Sequence, residues 1–271
     1  MAGHAMKESE REFYMLHAQL RAFRSVVDRS RQIIRDALQG SCRPYVSCSW
    51  GKDSTVLLHL VAEQKEDVDV IWAKIGPFDD WPGTDDIMQE FCQILPHIRV
   101  HVVTPDVDIV ECCRAAGGFY VFSDTPEQRK ATRLYDSAFI RAIVDKAREL
   151  ECDLAFIGLT EEESKRRRFL LRKRGTRFYA KTRSIMECFP LAHWTARDVW
   201  AYICSRGLPY LELYDLAPDR ERARNSPMFA VDPAGKGISE LYFGQIAILR
   251  QMYPEIFNRF AAEFPEVRCY V

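Results

Sequence analysis

The chain has 271 residues, of which 47% are hydrophobic and 28% charged, with a formal net charge of −1. Such a chain is long enough for one large α/β domain, and its charge excludes a global attraction to nucleic acid or membrane. No apolar run reaches the roughly 18–20 residues that span a bilayer, so no membrane partner is expected. Nine cysteines without regular framework spacing predict free thiols and a cytoplasmic location.

Helices and strands are predicted to alternate along the chain. Apolar residues recur at helical spacing over residues 7–38, which predicts one or two amphipathic helices ending at Gly40. Strands are predicted at Tyr45–Cys48, Val68–Ala73, Arg99–Val103 and Leu154–Gly158. Further helices are predicted at 55–64, Asp85–Leu95, Asp106–Ala115 and Ala138–Leu150, with a polar and aromatic loop over 117–133 as a candidate lid. This alternation predicts an α/β fold with a doubly wound, mainly parallel sheet flanked by helices.

The same pattern divides the chain into three regions. Residues 6–40 form a helical N-terminal extension, residues 41–215 form the α/β domain, and residues 216–271 form a C-terminal helical region with helical spacing over Ile238–Phe264. Ligands of doubly wound sheets bind beyond the carboxyl ends of the strands, at a switch point in strand order. Residues 47–54 and 158–167 both follow predicted strands, so the functional site is expected there.

The strongest functional signal is the segment 47–54, which reads Ser-Cys-Ser-Trp-Gly-Lys-Asp-Ser. A strand that breaks into a Ser/Gly turn and then opens a helix aims backbone N–H groups at one point, which makes an anion site. The segment adds hydroxyl donors, a flexible glycine and a cation: Ser49, Ser54, Gly51 and Lys52. The Asp53 carboxylate repels a bound anion unless a cation lies between them, which predicts Mg²⁺ beside a phosphate.

This segment resembles the pyrophosphate loop, Ser-Gly-Gly-x-Asp-Ser, of the adenine-nucleotide α-hydrolase superfamily. Trp50 stands where that family usually has its first glycine, and a P-loop is excluded because its first glycine is missing. The resemblance implies that ATP with Mg²⁺ is bound here, with Asp53 as the metal ligand. The implied nucleotide-binding residues are Ser47, Ser49, Trp50, Gly51, Lys52, Asp53 and Ser54. An ordinary strand–turn–helix corner with a polar cap is the structural alternative.

A second segment, residues 158–167, is similar to the Gly-x-Arg-x-x-Gln/Glu-Ser-x-x-Arg segment of phosphoadenylyl-sulfate (PAPS) reductases and their relatives. Thr160 replaces the usual arginine, and the matching positions are Gly158, Glu163, Ser164 and Arg167. The resemblance implies nucleotide contacts from the first three of these. It also implies catalytic roles for Lys52, Asp53 and Arg167 in neutralising charge and orienting the reacting phosphate. An acidic run followed by a basic one is otherwise typical of a solvated helix face.

A third match follows at residues 189–215, where the chain resembles the Pro-Leu…Trp-Thr-x-x-Asp-Val-Trp-x-Tyr-Ile…Leu-Pro-Tyr…Leu-Tyr-Asp stretch of the same family. Its content is mostly structural, because Thr195 is a candidate N-cap and Trp194, Trp200 and Tyr202 are candidate core residues. Together the three matches run from about residue 43 to residue 215.

Three functions remain open from the sequence. The first expectation is an ATP pyrophosphatase that cleaves the α–β bond of ATP and activates a substrate oxygen for replacement by sulfur from a cysteine desulfurase or thiol carrier. The second is a thiol-dependent PAPS or APS reductase with Cys269 as nucleophile, although the family's Glu-Cys-Gly-x-His tail is absent. The third is a non-catalytic subunit that binds nucleotide or nucleic acid. No iron–sulfur cluster is expected, because Cys112-Cys113 is followed by no Cys-x-x-Cys.

The segment Lys165–Arg183 indicates a possible macromolecular partner. Ten of its nineteen residues are Lys or Arg, interleaved with Phe169, Phe178 and Tyr179. Clustered cations with aromatic rings suit a phosphate backbone with bases available for stacking, so nucleic acid is an expected partner. The family resemblance implies the corresponding activity, since members of the family that activate nucleic acid for sulfur insertion, as in DNA phosphorothioation or tRNA thiolation, fit this pattern. A solvated, salt-bridged surface and a clamp on ATP phosphates are the alternatives. The sequence does not decide between a monomer and a homo-oligomer.

Overall fold

The computed structural model describes residues 6–74, 82–108, 111, 114, 126–162, 165–216 and 249–270. The helices are α1 Glu8–Gln19, α2 Arg21–Leu38, α3 Lys52–Ala62, α4 Thr84–Ile94, α5 Pro126–Glu149, α6 Lys165–Arg174, α7 Ala196–Arg206, α8 Leu213–Leu216 and α9 Pro254–Glu263, followed by a 3₁₀ turn at Pro265–Tyr270. The strands are β1 Pro44–Ser47, β2 Asp69–Ala73, β3 Arg99–Val103, β4 Leu154–Ile157, β5 Arg177–Ala180 and β6 Ile185–Cys188. Within these ranges no helix has the length and hydropathy to cross a bilayer.

The six strands form one sheet in the order β3-β2-β1-β4-β6-β5. Strand β1 runs parallel to β2 on one side and to β4 on the other, and β4 runs parallel to β6. The chain therefore leaves β1 toward one edge of the sheet and returns on the other side of β1, which places a switch point at the carboxyl ends of β1 and β4. The predicted α/β fold with a mainly parallel sheet is confirmed.

Two compact units make up the chain. One comprises residues 1–72, 83–102 and 144–215, and the other comprises residues 73–82, 103–143 and 216–271. The first unit contains α3, β1, β4 and the residues that follow both strands. The domain limits expected from the sequence stay a prediction.

Two predictions of secondary structure need correction. The loop predicted over 117–133 is wrong from residue 126 onward, because α5 begins at Pro126. Proline is favoured in the first turn of a helix, since its missing N–H has no partner there in any case. The antiparallel hairpin of β5 and β6 is not among the elements predicted from the sequence. Strand β5 is short, lies at the edge of the sheet and is half-exposed, and the charged Lys165–Arg183 segment around it lacks the apolar pattern that predicts a strand.

Other predictions agree with the structure or lie outside the described residues. The extension at 7–38 forms two helices that meet at Leu20. Half of the residues of the predicted helix Asp106–Ala115 lie outside the described ranges. Of the predicted helical spacing over Ile238–Phe264, residues 238–248 lie outside them, and the described remainder contains helical residues at 249–252 and α9.

The segment that begins α7 shows why the third family-like match is mostly structural. Thr195 accepts a hydrogen bond from the Asp198 N–H at 3.2 Å, and the Asp198 carboxylate accepts the Thr195 N–H at 2.8 Å. This reciprocal capping box fixes the start of α7. The predicted core residues of this stretch are buried: Trp194, Trp200 and Tyr202.

Candidate functional site

The loop between β1 and α3 lies at the carboxyl edge of the sheet. The Cys48 N–H donates to the Ile71 carbonyl at 3.1 Å, so the chain stays paired with β2 one residue beyond β1. The first helical hydrogen bond of α3 runs from the Thr55 N–H to the Gly51 carbonyl at 3.0 Å. Among the described residues, no acceptor bonds the N–H groups of Asp53 and Ser54. These two donors, together with the positive end of the helix dipole, form an anion site.

The serine hydroxyls of the loop have different roles. The Ser54 hydroxyl donates to the Gly51 carbonyl at 2.9 Å and accepts the Ser49 N–H at 3.3 Å. Because a hydroxyl has only one hydrogen, Ser54 holds the shape of the loop and has no second hydrogen to donate to a ligand. The Ser49 side chain is exposed, and its oxygen lies 3.4 Å from that of Ser54. Ser47, at the end of β1, is half-buried.

The Lys52 and Asp53 side chains form an ion pair with an Nζ–Oδ2 distance of 2.6 Å. Only 6% of the Lys52 side chain is exposed. Burial lowers the pKa of Lys52, but the Asp53 carboxylate more than offsets this, so that the pKa lies above its ordinary value. The cation that the sequence requires beside Asp53 is therefore supplied within the loop by the neighbouring lysine.

The role of Asp53 as a Mg²⁺ ligand stays a prediction. Among the described residues, no group of three or more His, Cys, Asp or Glu side chains is placed to hold a metal ion.

Trp50 occupies the glycine position of the pyrophosphate loop with a left-handed backbone, φ 61°. This conformation costs a non-glycine residue about 1–2 kcal/mol. The indole is 1% exposed and packs edge-on against Trp72, with ring centroids 6.1 Å apart, and against Phe91. Burial of a large side chain offsets a strain of this size. The ring therefore backs the loop onto the core, and its Nε1 has no hydrogen-bond partner among the described residues.

Gly158 follows β4 and lies directly against the first turn of α3. A Cβ atom at this position would lie 3.1 Å from both the Asp53 carbonyl oxygen and the Ser54 Cα. The glycine is therefore required by the close approach of two backbone segments, which fixes the distance between the β4 exit and the loop.

The residues after Gly158 are anchored to the start of α7. The Glu162 carboxylate accepts the Ala196 N–H at 2.6 Å, and Glu161 lies 3.2 Å from the His193 ring. Thr160, at the position of the family's arginine, is 3% exposed. Arg167 is half-buried in the first turn of α6. Glu163 and Ser164 lie outside the described residues, so their predicted contacts stay predictions.

Tyr214 lies at this site, although the role expected for its segment from the sequence is mostly structural. Its hydroxyl accepts the Lys52 N–H at 3.3 Å, and its side chain is 2% exposed. Burial raises the pKa of Tyr214 to about 12, so the hydroxyl stays protonated at neutral pH. The Leu-Tyr-Asp sequence predicts a buried aromatic residue, but it does not predict a contact with a loop residue 162 positions earlier in the chain.

A scan against protein families matches residues 43–267 to the phosphoadenosine phosphosulfate reductase domain. The adenosine 5′-phosphosulfate reductase of Oceanobacillus iheyensis is 29% identical over 173 residues, which cover 62% of this chain and 65% of that protein. The enzyme of the same name from Geobacillus kaustophilus is 29% identical over 172 residues, covering 62% and 66%. The matched region thus spans slightly less than two thirds of these relatives.

Two solved structures share the fold. The PAPS reductase of Candida auris in its phosphate complex aligns with a TM-score of 0.52 at 16% identity, covering 78% of this chain and 93% of that one. The U34-tRNA thiolase NcsA of Methanococcus maripaludis with its [4Fe-4S] cluster aligns with a TM-score of 0.51 at 14% identity, covering 91% and 79%. At these identities the likeness concerns the fold alone.

These comparisons correct the first functional expectation. The expectation of an ATP pyrophosphatase is wrong, because the family match and the named relatives favour the second function, a sulfonucleotide reductase. The physical reason lies in the loop itself. Backbone N–H groups at a helix N-terminus bind oxyanions generally, so this motif does not distinguish a pyrophosphate from a phosphosulfate.

Proposed function

Because this chain belongs to the phosphoadenosine phosphosulfate reductase domain family, we propose that it is a thiol-dependent sulfonucleotide reductase. Its substrate would be adenosine 5′-phosphosulfate, with or without a 3′-phosphate. The observation that carries this proposal is the family match over residues 43–267. The site supports it with the Lys52–Asp53 ion pair, which lies beside the unbonded N–H groups of Asp53 and Ser54. Since Lys52 already neutralises the carboxylate, the loop suits an oxyanion that approaches without a further cation between them.

In this proposal the loop binds the phosphate end of the phosphosulfate. The Asp53 and Ser54 N–H groups and the Ser49 hydroxyl donate to its oxygens, and Lys52 adds positive charge. Gly51 and Ser54 keep the loop in shape, while Gly158 sets its distance from the β4 exit. Arg167, Glu163 and Ser164 are proposed to complete the nucleotide contacts, as the family resemblance implies.

The proposed chemistry transfers the sulfonate group of the phosphosulfate from a phosphate oxygen to a thiol. The Cys269 thiolate attacks the sulfur of the phosphosulfate, the S–O bond to the phosphate breaks, and the nucleotide leaves with the electron pair of that bond. Loop donors and Lys52 stabilise the negative charge that develops on the departing phosphate oxygen. A second thiol, from a thiol carrier, then attacks the Cys269 sulfur and releases sulfite. Two thiols are oxidised to a disulfide as the substrate sulfur gains two electrons.

Cys269 is assigned from the sequence, and its side chain lies outside those that the structure describes. The test is to incubate the full chain with adenosine 5′-phosphosulfate or PAPS and dithiothreitol, and to measure sulfite and the released nucleotide. We expect equal amounts of both products. Cys269→Ser should abolish sulfite formation without loss of nucleotide binding, whereas Cys42→Ser, which changes an exposed thiol, should leave the rate unchanged.

Two outcomes would contradict the proposal at different points. Absence of sulfite from the wild type with both nucleotides would reject the reductase and favour a non-catalytic nucleotide-binding subunit. Sulfite formation by Cys269→Ser would reject this cysteine as the nucleophile and keep the activity. Iron and sulfide analysis of protein purified without oxygen checks the prediction that no iron–sulfur cluster is bound.

A further inference from the structure

The reductase proposal gives no role to most of the cations in the Lys165–Arg183 segment. The structure sorts them by helix face. On α6, residues at spacings of three, four, seven and eight share one exposed face, here named the α6 cationic face: Lys165, Arg168, Phe169, Arg172 and Lys173. This face carries four cations around one phenyl ring.

The opposite side of α6 holds the helix on the protein. Leu171 is 3% exposed and lies in a buried cluster with Phe189 and Ala192. Phe178 packs against this cluster and stacks on Phe189, with ring centroids 5.3 Å apart. Phe178 is therefore a packing residue, and Phe169 is the aromatic residue of α6 that remains beside the cations in solvent.

The charge on the α6 cationic face is largely uncompensated. Lys165, Arg168 and Lys173 form no ion pair with a carboxylate in the part of the chain that the structure describes. Arg172 lies 3.9 Å from Glu161, but its side chain is 72% exposed, and a surface pair at this distance contributes little. Because the whole chain has a net charge of only −1, this positive charge is a local feature.

Phe169 is 68% exposed, the highest value among the large hydrophobic side chains of the described residues. The Lys173 ammonium lies 5.9 Å from the centre of its ring. A solvent-exposed ring flanked by cations presents one aromatic face and several phosphate-binding groups within about 12 Å of helix. An acidic protein partner would pair with the cations but would not need the ring, whereas a base stacks on it.

We propose that the α6 cationic face binds single-stranded nucleic acid. The four cations pair with successive backbone phosphates, and one base stacks on the Phe169 ring. Arg167 does not belong to this surface, because it lies on another face of α6 and is half-buried. The nucleic-acid surface is thus separate from the residues proposed to bind the sulfonucleotide.

The test measures binding of a fluorescently labelled oligothymidylate of about 20 nucleotides by fluorescence polarisation, over a range of salt concentrations. Arg168→Ala/Arg172→Ala should weaken binding at low salt and reduce the slope of log K against log salt by about 1.4, since each lost phosphate contact contributes about 0.7. Phe169→Ala should raise the Kd about tenfold or more while leaving the salt slope unchanged.

Arg24→Ala/Arg29→Ala is the matched control, because it removes two exposed arginines from α2. Its Kd should equal that of the wild type. An equal loss of affinity in this control would overturn the proposal in favour of unspecific charge attraction. An unchanged Kd for Phe169→Ala, together with competition by polyglutamate as strong as by oligothymidylate, would overturn it in favour of an acidic protein partner. Equal binding of a duplex of the same length would overturn the single-strand assignment.

Sulfite formation separates this proposal from the reductase. Arg168→Ala/Arg172→Ala should form sulfite at the wild-type rate while losing affinity for the oligonucleotide. If the wild-type protein binds the oligonucleotide but forms no sulfite, the reductase proposal is rejected and the nucleic-acid proposal is kept.

Discussion

The loop before α3 and the α6 cationic face both combine cations with an aromatic side chain, yet they differ in burial. In the loop, the Trp50 ring is in the core and Lys52 is held by a carboxylate at 2.6 Å. On α6, Phe169 and Arg172 are mainly in solvent. Residue type alone therefore does not decide the role of such a cluster. A buried cation has one fixed partner and defines a small site, whereas an exposed row of cations suits an extended, flexible polyanion.

The largest effect is expected when the ion pair of the loop is broken. Lys52→Ala leaves the Asp53 carboxylate beside the anion site without its cation, so affinity for the sulfonucleotide should fall by about 100-fold or more. Calorimetric titration of the Cys269→Ser background measures this without turnover. Lys52→Ala/Asp53→Asn removes the repelling charge as well and should recover part of the loss. If Lys52→Ala binds as tightly as wild type, Lys52 does not act on the ligand.

The pH dependence of binding follows from the same pair. The pKa of Lys52 in the folded protein lies above the ordinary lysine pKa. The charged lysine therefore stabilises the folded protein fully below the ordinary lysine pKa, and this stabilisation is lost only as the pH rises through the pKa of the folded state. Sulfonucleotide affinity should therefore stay constant from about pH 8 to pH 10. A decrease in affinity centred below pH 10 would show that Lys52 is not held by Asp53 in this way.

A smaller effect is expected from the backbone contact that supports the loop. Gly158→Ala places a Cβ 3.1 Å from backbone atoms of Asp53 and Ser54, so it should lower the free energy of unfolding by about 1–3 kcal/mol. Urea denaturation measures the change. Gly40→Ala is the control, because its Cβ would meet only the Ala37 carbonyl at 4.0 Å, and it should be nearly neutral. Equal stabilities of the two variants would contradict the tight approach.

Tyr214→Phe removes the acceptor of the Lys52 N–H and should lower the free energy of unfolding by about 1 kcal/mol in the absence of ligand. Tyr179→Phe, on an exposed side chain, should change it by less than about 0.5 kcal/mol. Thermal unfolding of both variants measures the difference. If Tyr214→Phe leaves the free energy of unfolding unchanged, water replaces the hydroxyl as the acceptor of the Lys52 N–H, and the loop is more open to solvent than this hydrogen bond indicates.

The smallest effect is expected on α6. Arg172→Ala should change the free energy of unfolding by less than about 0.5 kcal/mol, because its contact with Glu161 at 3.9 Å is exposed. The same denaturation measurement as for Gly158→Ala applies. A loss above about 1 kcal/mol would show that the α6 cations stabilise the fold, and the contrast with the buried pair of the loop would disappear.

Local sequence determined much of the fold around the candidate site. The apolar runs before and after residues 47–54 specify a strand and a helix by themselves, and Thr195 with Asp198 specifies the start of α7 through contacts three residues apart. These elements depend on near neighbours in sequence, so their patterns are readable. The strand within the charged segment 165–183 was not predictable in this way, because a short edge strand such as β5 depends on the strand with which it pairs.

The candidate site could be located from the sequence but not fully described. Residues 47–54 and Gly158 fall at the predicted edge of the sheet, since parallel strands bring their carboxyl ends together. The reaction could not be chosen in this way, because helix N-terminal donors bind any suitable oxyanion, and the ATP pyrophosphatase expectation was wrong for this reason.

Local sequence is sufficient to predict the alternating α/β elements, the anion-binding loop and the family resemblance, because each depends on residues that are close together in the chain. Four features of the site required the folded structure: the ion pair of Lys52 with Asp53, the burial of Trp50, the contact of Gly158 with the loop, and the hydrogen bond from the Lys52 N–H to Tyr214. The folded structure also decided that Phe178 is a packing residue while Phe169 is exposed. These features depend on the direction of side chains and on contacts between distant segments, which packing fixes and local pattern does not.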